Sequence, residues 1–348
     1  MLIFQIYFIM KKNKLFCALF VIASMLIFNS CNTDVNIYNE GEETTVVYGY
    51  LDVDADTNYL KITKSFVGDV IENGQNYNIS NYDYKLNVKL IGKFADMPNV
   101  VSVVTMDTCH VHKPYDPNAI FYSGVDQVLY YTTRKLIENE TYTLVIERND
   151  GEVITSEVKT INGSTITLPY LNISFESQAT NQIKWKSNKL MERAAFYEVV
   201  GYFHYGQLNP GETDTVDYCV KWVLGSGTGD ELWNSSEYRM FVNYTPKNFY
   251  KQLQADDNLT NNSPEWVQRF VKGFEIVVTA TGEELYKYIL IQNSMGAIQD
   301  TPEYTNIENG IGILSSRSQC RKMFEVHDRS VSALIRDYPQ WGFVKIYE

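Results

Sequence analysis

Tyr84-Lys-Leu-Asn-Val-Lys-Leu90 decides the fold class of this chain. Apolar residues stand at every second position, Tyr84, Leu86, Val88 and Leu90, with Lys85, Asn87 and Lys89 between them. That period puts the apolar set on one face of a β-strand, because successive side chains of a strand point to opposite sides. The same character extends in both directions. Residues 45–51, 59–66, 100–106, 125–133, 142–148 and 153–161 read as further strands, the second with either Tyr59 or Leu60 starting its inner face. The Asp- and Asn-rich stretch 52–58 reads as a turn. Turns recur about every 10 to 20 residues, a spacing that argues for a sandwich over alternating βα units. Heavy aromatic use, with 26 Tyr, 17 Phe and 5 Trp, agrees, since aromatic rings suit a pleated, half-buried surface. Tyrosine also suits carbohydrate or protein contact, as a flat apolar face with a polar tip.

Leu136-Ile-Glu-Asn-Glu-Thr-Tyr142-Thr-Leu144-Val-Ile146 resembles the tyrosine corner of fibronectin type III and immunoglobulin-like sandwiches. The resemblance implies that Leu136 precedes a turn, that Tyr142 opens the next strand, and that its hydroxyl bonds a backbone group just upstream. The chain is therefore expected to be mainly β, with an immunoglobulin/fibronectin-III-like sandwich over residues 44–162. Asn162-Gly-Ser-Thr165 reads as a linker to a second β-rich domain with short helical insertions, residues 163–348. In that domain a strand around Trp185 leads to one holding Tyr197 and Val199, which again resembles a fibronectin-like module. Residues 206–211 read as a hairpin connection, and 215–224 as the returning strand. Thr245, Pro246, Phe249, Tyr250 and Leu253 spell a capped short helix over 245–255. Residues 270–280 read as a strand, 282–291 and 331–337 as helices, and 343–347 as a final strand.

The amino terminus carries an address. Lys11, Lys12 and Lys14 precede an apolar run from Leu15 to Phe28, the layout of a signal peptide and short for a membrane span. Residues 1–9 place apolar residues ahead of that charge, so translation is expected to begin at Met10. Phe28-Asn29-Ser30-Cys31 resembles a lipobox, with residues 1–30 as signal peptide and Cys31 as the lipid-modified first mature residue. The polar stretch 31–43 reads as a tether. A diacyl or triacyl anchor holds far more firmly than one acyl chain, at about 0.8 kcal/mol per buried methylene.

The chain has 30 basic and 42 acidic residues. The leader removes three lysines and no acids, leaving 27 against 42, a net charge of −15. This argues against nucleic-acid binding and against docking on anionic lipid. Cys109, Cys219 and Cys320 are far apart and odd in number, and leave open one disulfide in any of three pairings or isolated thiols.

Few residues carry a chemical pattern. His110 and His112 would share a strand face, but no further ligand stands at a telling spacing, so no metal site is expected. Asp52, Asp54 and Asp56 open like a calcium loop, yet Thr57 and Thr63 replace the required Gly and Glu, and a hairpin turn is the better reading. No nucleophile elbow, zinc-protease motif or phosphate loop is present. No catalytic residue and no cofactor is assigned. Tyr304-Thr-Asn-Ile-Glu-Asn-Gly-Ile-Gly-Ile-Leu-Ser-Ser-Arg317 is the most motif-like stretch. It reads as a packed loop-strand corner, with Ser315 and Arg317 as weak binding candidates and Arg317 free to pair with a buried carboxylate. Asp214-Thr215-Val216 resembles a short O-glycosylation sequon, with Thr215 as acceptor.

Cys31, the opening 46–52, the strand 59–66 and the 304–313 segment together resemble uncharacterised cell-envelope lipoproteins of Bacteroidota, a domain-of-unknown-function family. The resemblance implies an outer-membrane lipoprotein with a β-rich ectodomain and implies no activity. The expected role is a non-catalytic binding or accessory component of an envelope uptake or surface complex, held to the membrane by its lipid, with an outer-membrane receptor or a surface protein complex as partner. A fimbrial-type subunit and a secreted hydrolase are the alternatives.

Overall fold

The computed structural model describes residues 43–65, 80–94, 97–112, 126–176, 180–189, 191–260, 266–294 and 304–345. Residues 43–348 group as one compact unit. Cys31, its leader and residues 31–42 of the tether lie outside the described residues.

The first eight strands are β1 (Thr45–Asp52), β2 (Asn58–Lys64), β3 (Asn87–Phe94), β4 (Met97–Thr105), β5 (Asp107–His112), β6 (Asp126–Thr132), β7 (Thr141–Glu147) and β8 (Val153–Lys159). They pair as β1-β2-β6-β5 in one layer and β4-β3-β7-β8 in the other. That is the Greek-key order of an immunoglobulin-type sandwich. The strand expected from Tyr84 begins at Asn87, a few residues later, but its inner face holds: Leu86, Val88 and Leu90 are buried. They pack with Val47, Leu51, Leu60, Leu144 and Ile146 in a first core. Tyr142 opens β7, and its hydroxyl accepts the Ile137 amide at 3.0 Å while Leu136 is buried beside it. The corner geometry is the one the motif implies.

The second half repeats the plan. Its strands are β9 (Ser164–Leu168), β10 (Asn172–Ile173), β11 (Asn181–Ser187), β12 (Phe196–Leu208), β13 (Val216–Thr228), β14 (Trp233–Asn234), β15 (Arg239–Tyr244), β16 (Gln268–Thr281) and β17 (Gly310–Val326). With β10 set aside as a short parallel addition to β17, the layers are β9-β11-β15-β14 and β13-β12-β16-β17, the same order strand for strand. Trp185 on β11 and Tyr197 on β12 meet with ring centroids 5.6 Å apart in a second core, together with Phe203, Phe249, Phe274 and Phe324. Helices α1 (Pro246–Gln254) and α2 (Asp257–Thr260) fill the connection from β15 to β16. Helix α3 (Glu283–Ser294) lies between β16 and β17, and α4 (Asp328–Asp337) follows β17. Thr245 and Pro246 start α1 as expected, although the Thr245 side chain makes no capping bond.

Two expectations need correction. The hairpin connection lies past Leu208, because β12 runs on through residues 206–208. Of the final strand 343–347, the described residues 343–345 form only a bridge at Phe343, because the chain there is held to Arg269 through Gly342 and Val344, and residues 346–347 lie outside the described residues. The corner at 304–317 is a loop, 304–309, that enters the leading half of β17, and β17 runs on to 17 residues and spans both modules. Gly310 and Gly312 hid its length, since glycine has low β propensity.

β17 is the joint. Its C-terminal half pairs antiparallel with β16, and its N-terminal half pairs parallel with β1, from Thr45↔Gly310 to Asp52↔Arg317. One nine-stranded sheet therefore crosses the expected boundary at residues 162/163. The two cores still divide along that line, except that Ile307 and Leu314 enter the first. Leu314 faces the first core and Phe324 the second, an even number of residues apart on one strand. Both small layers thus cover the same face of the large sheet.

Candidate functional site

The opposite face of that sheet is partly open. On β1 the odd positions Val47 and Leu51 are buried, so the even positions Tyr48 and Tyr50 point outward, about 40% exposed. β2 pairs Gly49 with Leu60 and Tyr48 with Lys61. Leu60 therefore takes the inner face, and Tyr59 turns outward at 49% exposure. On β17 Ile313 stands beside Tyr48 and Arg317 beside Asp52. Helix α3 closes one side with Leu285 and Tyr288. These groups line a trough of about 420 Å³, floored by Gly49 and bordered by Thr57 and Asn58 of the β1–β2 turn.

Each wall is held from behind. The Arg317 Nε donates to Asp52 Oδ2 at 2.9 Å, and its guanidinium lies over the Tyr50 ring 4.0 Å from the centroid. The Asp52 side chain is only 5% exposed and also accepts the Asp54 amide at 3.0 Å. Asn58 closes the turn by accepting the Asp52 amide and donating to the Asp52 carbonyl. Asp54 reaches across to β17, accepting from Ser318 Oγ and the Gln319 amide. The Asp-rich stretch is thus a hairpin turn in which the Asp52 and Asp54 carboxylates are spent on β17. Tyr59 rests against Tyr131 of β6, with centroids 6.1 Å apart. Helix α3 is seated by Ser315, whose Oγ accepts the Leu285 amide at 3.1 Å, and by the Ser316 carbonyl, which accepts the Gly282 amide.

The site residues taken from the sequence separate accordingly. Arg317 lines the trough and pairs with a buried carboxylate. Ser315 is buried and positions α3 from beneath, so it presents no surface to a ligand. Thr215 is exposed on the connection between β12 and β13, remote in sequence from the trough strands. Cys31 lies outside the described residues. Tyr48, Tyr50, Tyr59 and Tyr288 escaped the sequence reading. Their signal was the Tyr48-Gly-Tyr50 alternation opposite Val47 and Leu51, which needs the inner face to be known first.

Other polar groups pair with one another. His112 Nδ1 meets Asp126 Oδ1 at 2.9 Å on the β5 edge. Among the described residues no group of three or more His, Cys, Asp or Glu gathers to hold a metal ion. Cys109, Cys219 and Cys320 are free thiols, and burial pushes the Cys320 thiol above its usual range. A recess of about 620 Å³ between α1 and α4 holds Tyr250 and Tyr338 stacked 5.1 Å apart, with Arg336 engaged on both oxygens of Asp337. A recess of about 400 Å³ at the start of α3 is bordered by Glu192, which is already bonded to Asn162 and Lys189. No protein-family model matches the chain, and no curated protein matches it.

Proposed function

We propose that the chain is an outer-membrane lipoprotein, attached through Cys31, that serves as a non-catalytic binding or accessory component of an envelope uptake or surface complex. The trough carries this reading. Tyr48, Tyr50 and Tyr59 stand together on the outer face of the sheet, 38–49% exposed, and a cluster of exposed rings supports a contact surface. The carboxylate that borders it, Asp52, is committed to Arg317 and to its own turn, which suits recognition better than acid–base chemistry. The leader, the Ser30-Cys31 junction and the polar stretch after it support the anchor.

Labelled palmitate tests attachment. The full-length protein takes up label and fractionates with membranes, and Cys31→Ala does neither. A Cys31→Ala protein that stays lipidated and membrane-bound defeats the reading. Gentle detergent extraction tests the role, with co-isolation of a membrane receptor as the expected result. Two tandem sandwiches also favour a second reading, a fimbrial-type subunit, which would extract as a ladder of self-assemblies.

A further inference from the structure

We infer that the tyrosine trough recognises an uncharged glycan. This rests on the reading of the chain as a binding component and supplies its ligand class. Both edges of β1 are already paired, to β2 and to β17. A peptide strand therefore finds no free backbone groups on β1 to extend, which removes the main-chain bonding on which strand addition depends. Recognition over this face falls to ring faces and side-chain polar groups. That combination suits a sugar, whose C–H faces stack on aromatic rings while its hydroxyls reach the rim.

The rings are spread to suit an extended ligand. Tyr48 and Tyr50 are two residues apart on one strand, a step of about 7 Å, and Tyr59 stands on the neighbouring strand about 5 Å away. The Tyr50 and Tyr59 rings are braced by Arg317 and Tyr131, so less side-chain freedom is lost on binding. The phenol hydroxyls, Thr57 and the quarter-exposed Arg317 side chain border the rings with donors and acceptors. Charge selects among glycans. Asp52 and Arg317 neutralise each other in the wall and Lys61 adds one cation to the lining, but the chain as a whole is strongly acidic, so long-range repulsion works against a polyanionic glycan.

Native gel electrophoresis of the detergent-solubilised full-length protein, through gels cast with β-glucan, mannan, xylan or dextran and with alginate as the anionic probe, tests the inference. Retardation by at least one neutral polysaccharide and none by alginate is expected. The double variant Tyr48→Ala/Tyr59→Ala should weaken that retardation roughly tenfold or more at an unchanged melting temperature, while Tyr59→Trp retains it. Three results would overturn the inference: no retardation by any neutral polysaccharide, retardation indifferent to the double variant, or retardation by alginate alone. If retardation is absent but a membrane protein co-isolates and shields the tyrosines from labelling, the glycan falls and the binding-component reading stands. If neither glycan nor partner engages the face, both fall.

Discussion

Single side chains hold this fold at two kinds of position. Tyr142 closes the corner between β6 and β7 by accepting the Ile137 amide. Removing that hydroxyl leaves a partly buried amide without its acceptor, so Tyr142→Phe should lower unfolding stability by about 1–2 kcal/mol. Urea denaturation with an unchanged m-value would show it. The second kind is the core phenol. Burial pushes Tyr205, Tyr244 and Tyr250 up to about 12, against an ordinary value of about 10. The native state keeps these protons after the unfolded chain has lost them, so stability is full below pH 10 and falls between about pH 10 and 12. An alkaline titration followed by tyrosinate absorbance should therefore show exposed rings ionising first. The core phenols should follow in a steep step that coincides with loss of the β-sheet circular dichroism.

At the scale of elements, β17 and β1 form the contact on which the arrangement turns. Gly312 makes it close: its φ is +110°, and a Cβ there would fall on the Val47 backbone. Gly151, in the turn between β7 and β8, also has positive φ, at +91°, but a Cβ there meets open space. Gly151→Ala should thus cost only backbone strain, about 1 kcal/mol, and Gly312→Ala about 3 kcal/mol or more. Paired thermal melts separate the two, and equal costs would show that the β1–β17 approach is not tight. Helix α3 depends on the same strand through Ser315 and Ser316, so the trough should loosen with the joint.

Across the whole molecule, two sandwiches of identical strand order share one sheet. The parallel pairing of β1 with β17 covers what would be the free edge of the first module, and Ile307 and Leu314 complete its core. A fragment ending at residue 162 loses both. It should aggregate or remain partly unfolded when expressed alone, because it exposes a long unpaired edge and an incomplete core. A soluble fragment with native-like dispersion in its amide spectrum would contradict this. The intact chain from residue 43 onward should melt in one cooperative calorimetric transition, as expected of a continuous sheet.

Local pattern by itself determined the β class, the first sandwich with its tyrosine corner and the starts of α1 and α3, and it is the whole ground of the address proposed at Cys31. Each is written in neighbouring residues: a period of two, a Leu-to-Tyr spacing, a proline at a helix start, a basic and apolar leader. The joint and the trough were decided by tertiary structure alone. The leading half of β17 pairs with β1 some 265 positions away, and its two glycines carry no strand signal, so the approach of β1 makes a strand of it. Tyr48, Tyr50 and Tyr59 are ordinary strand residues until the core claims Val47, Leu51 and Leu60 and leaves the rings on the other face. Which side of a strand is buried is settled by what packs against it, and that partner lies elsewhere in the chain.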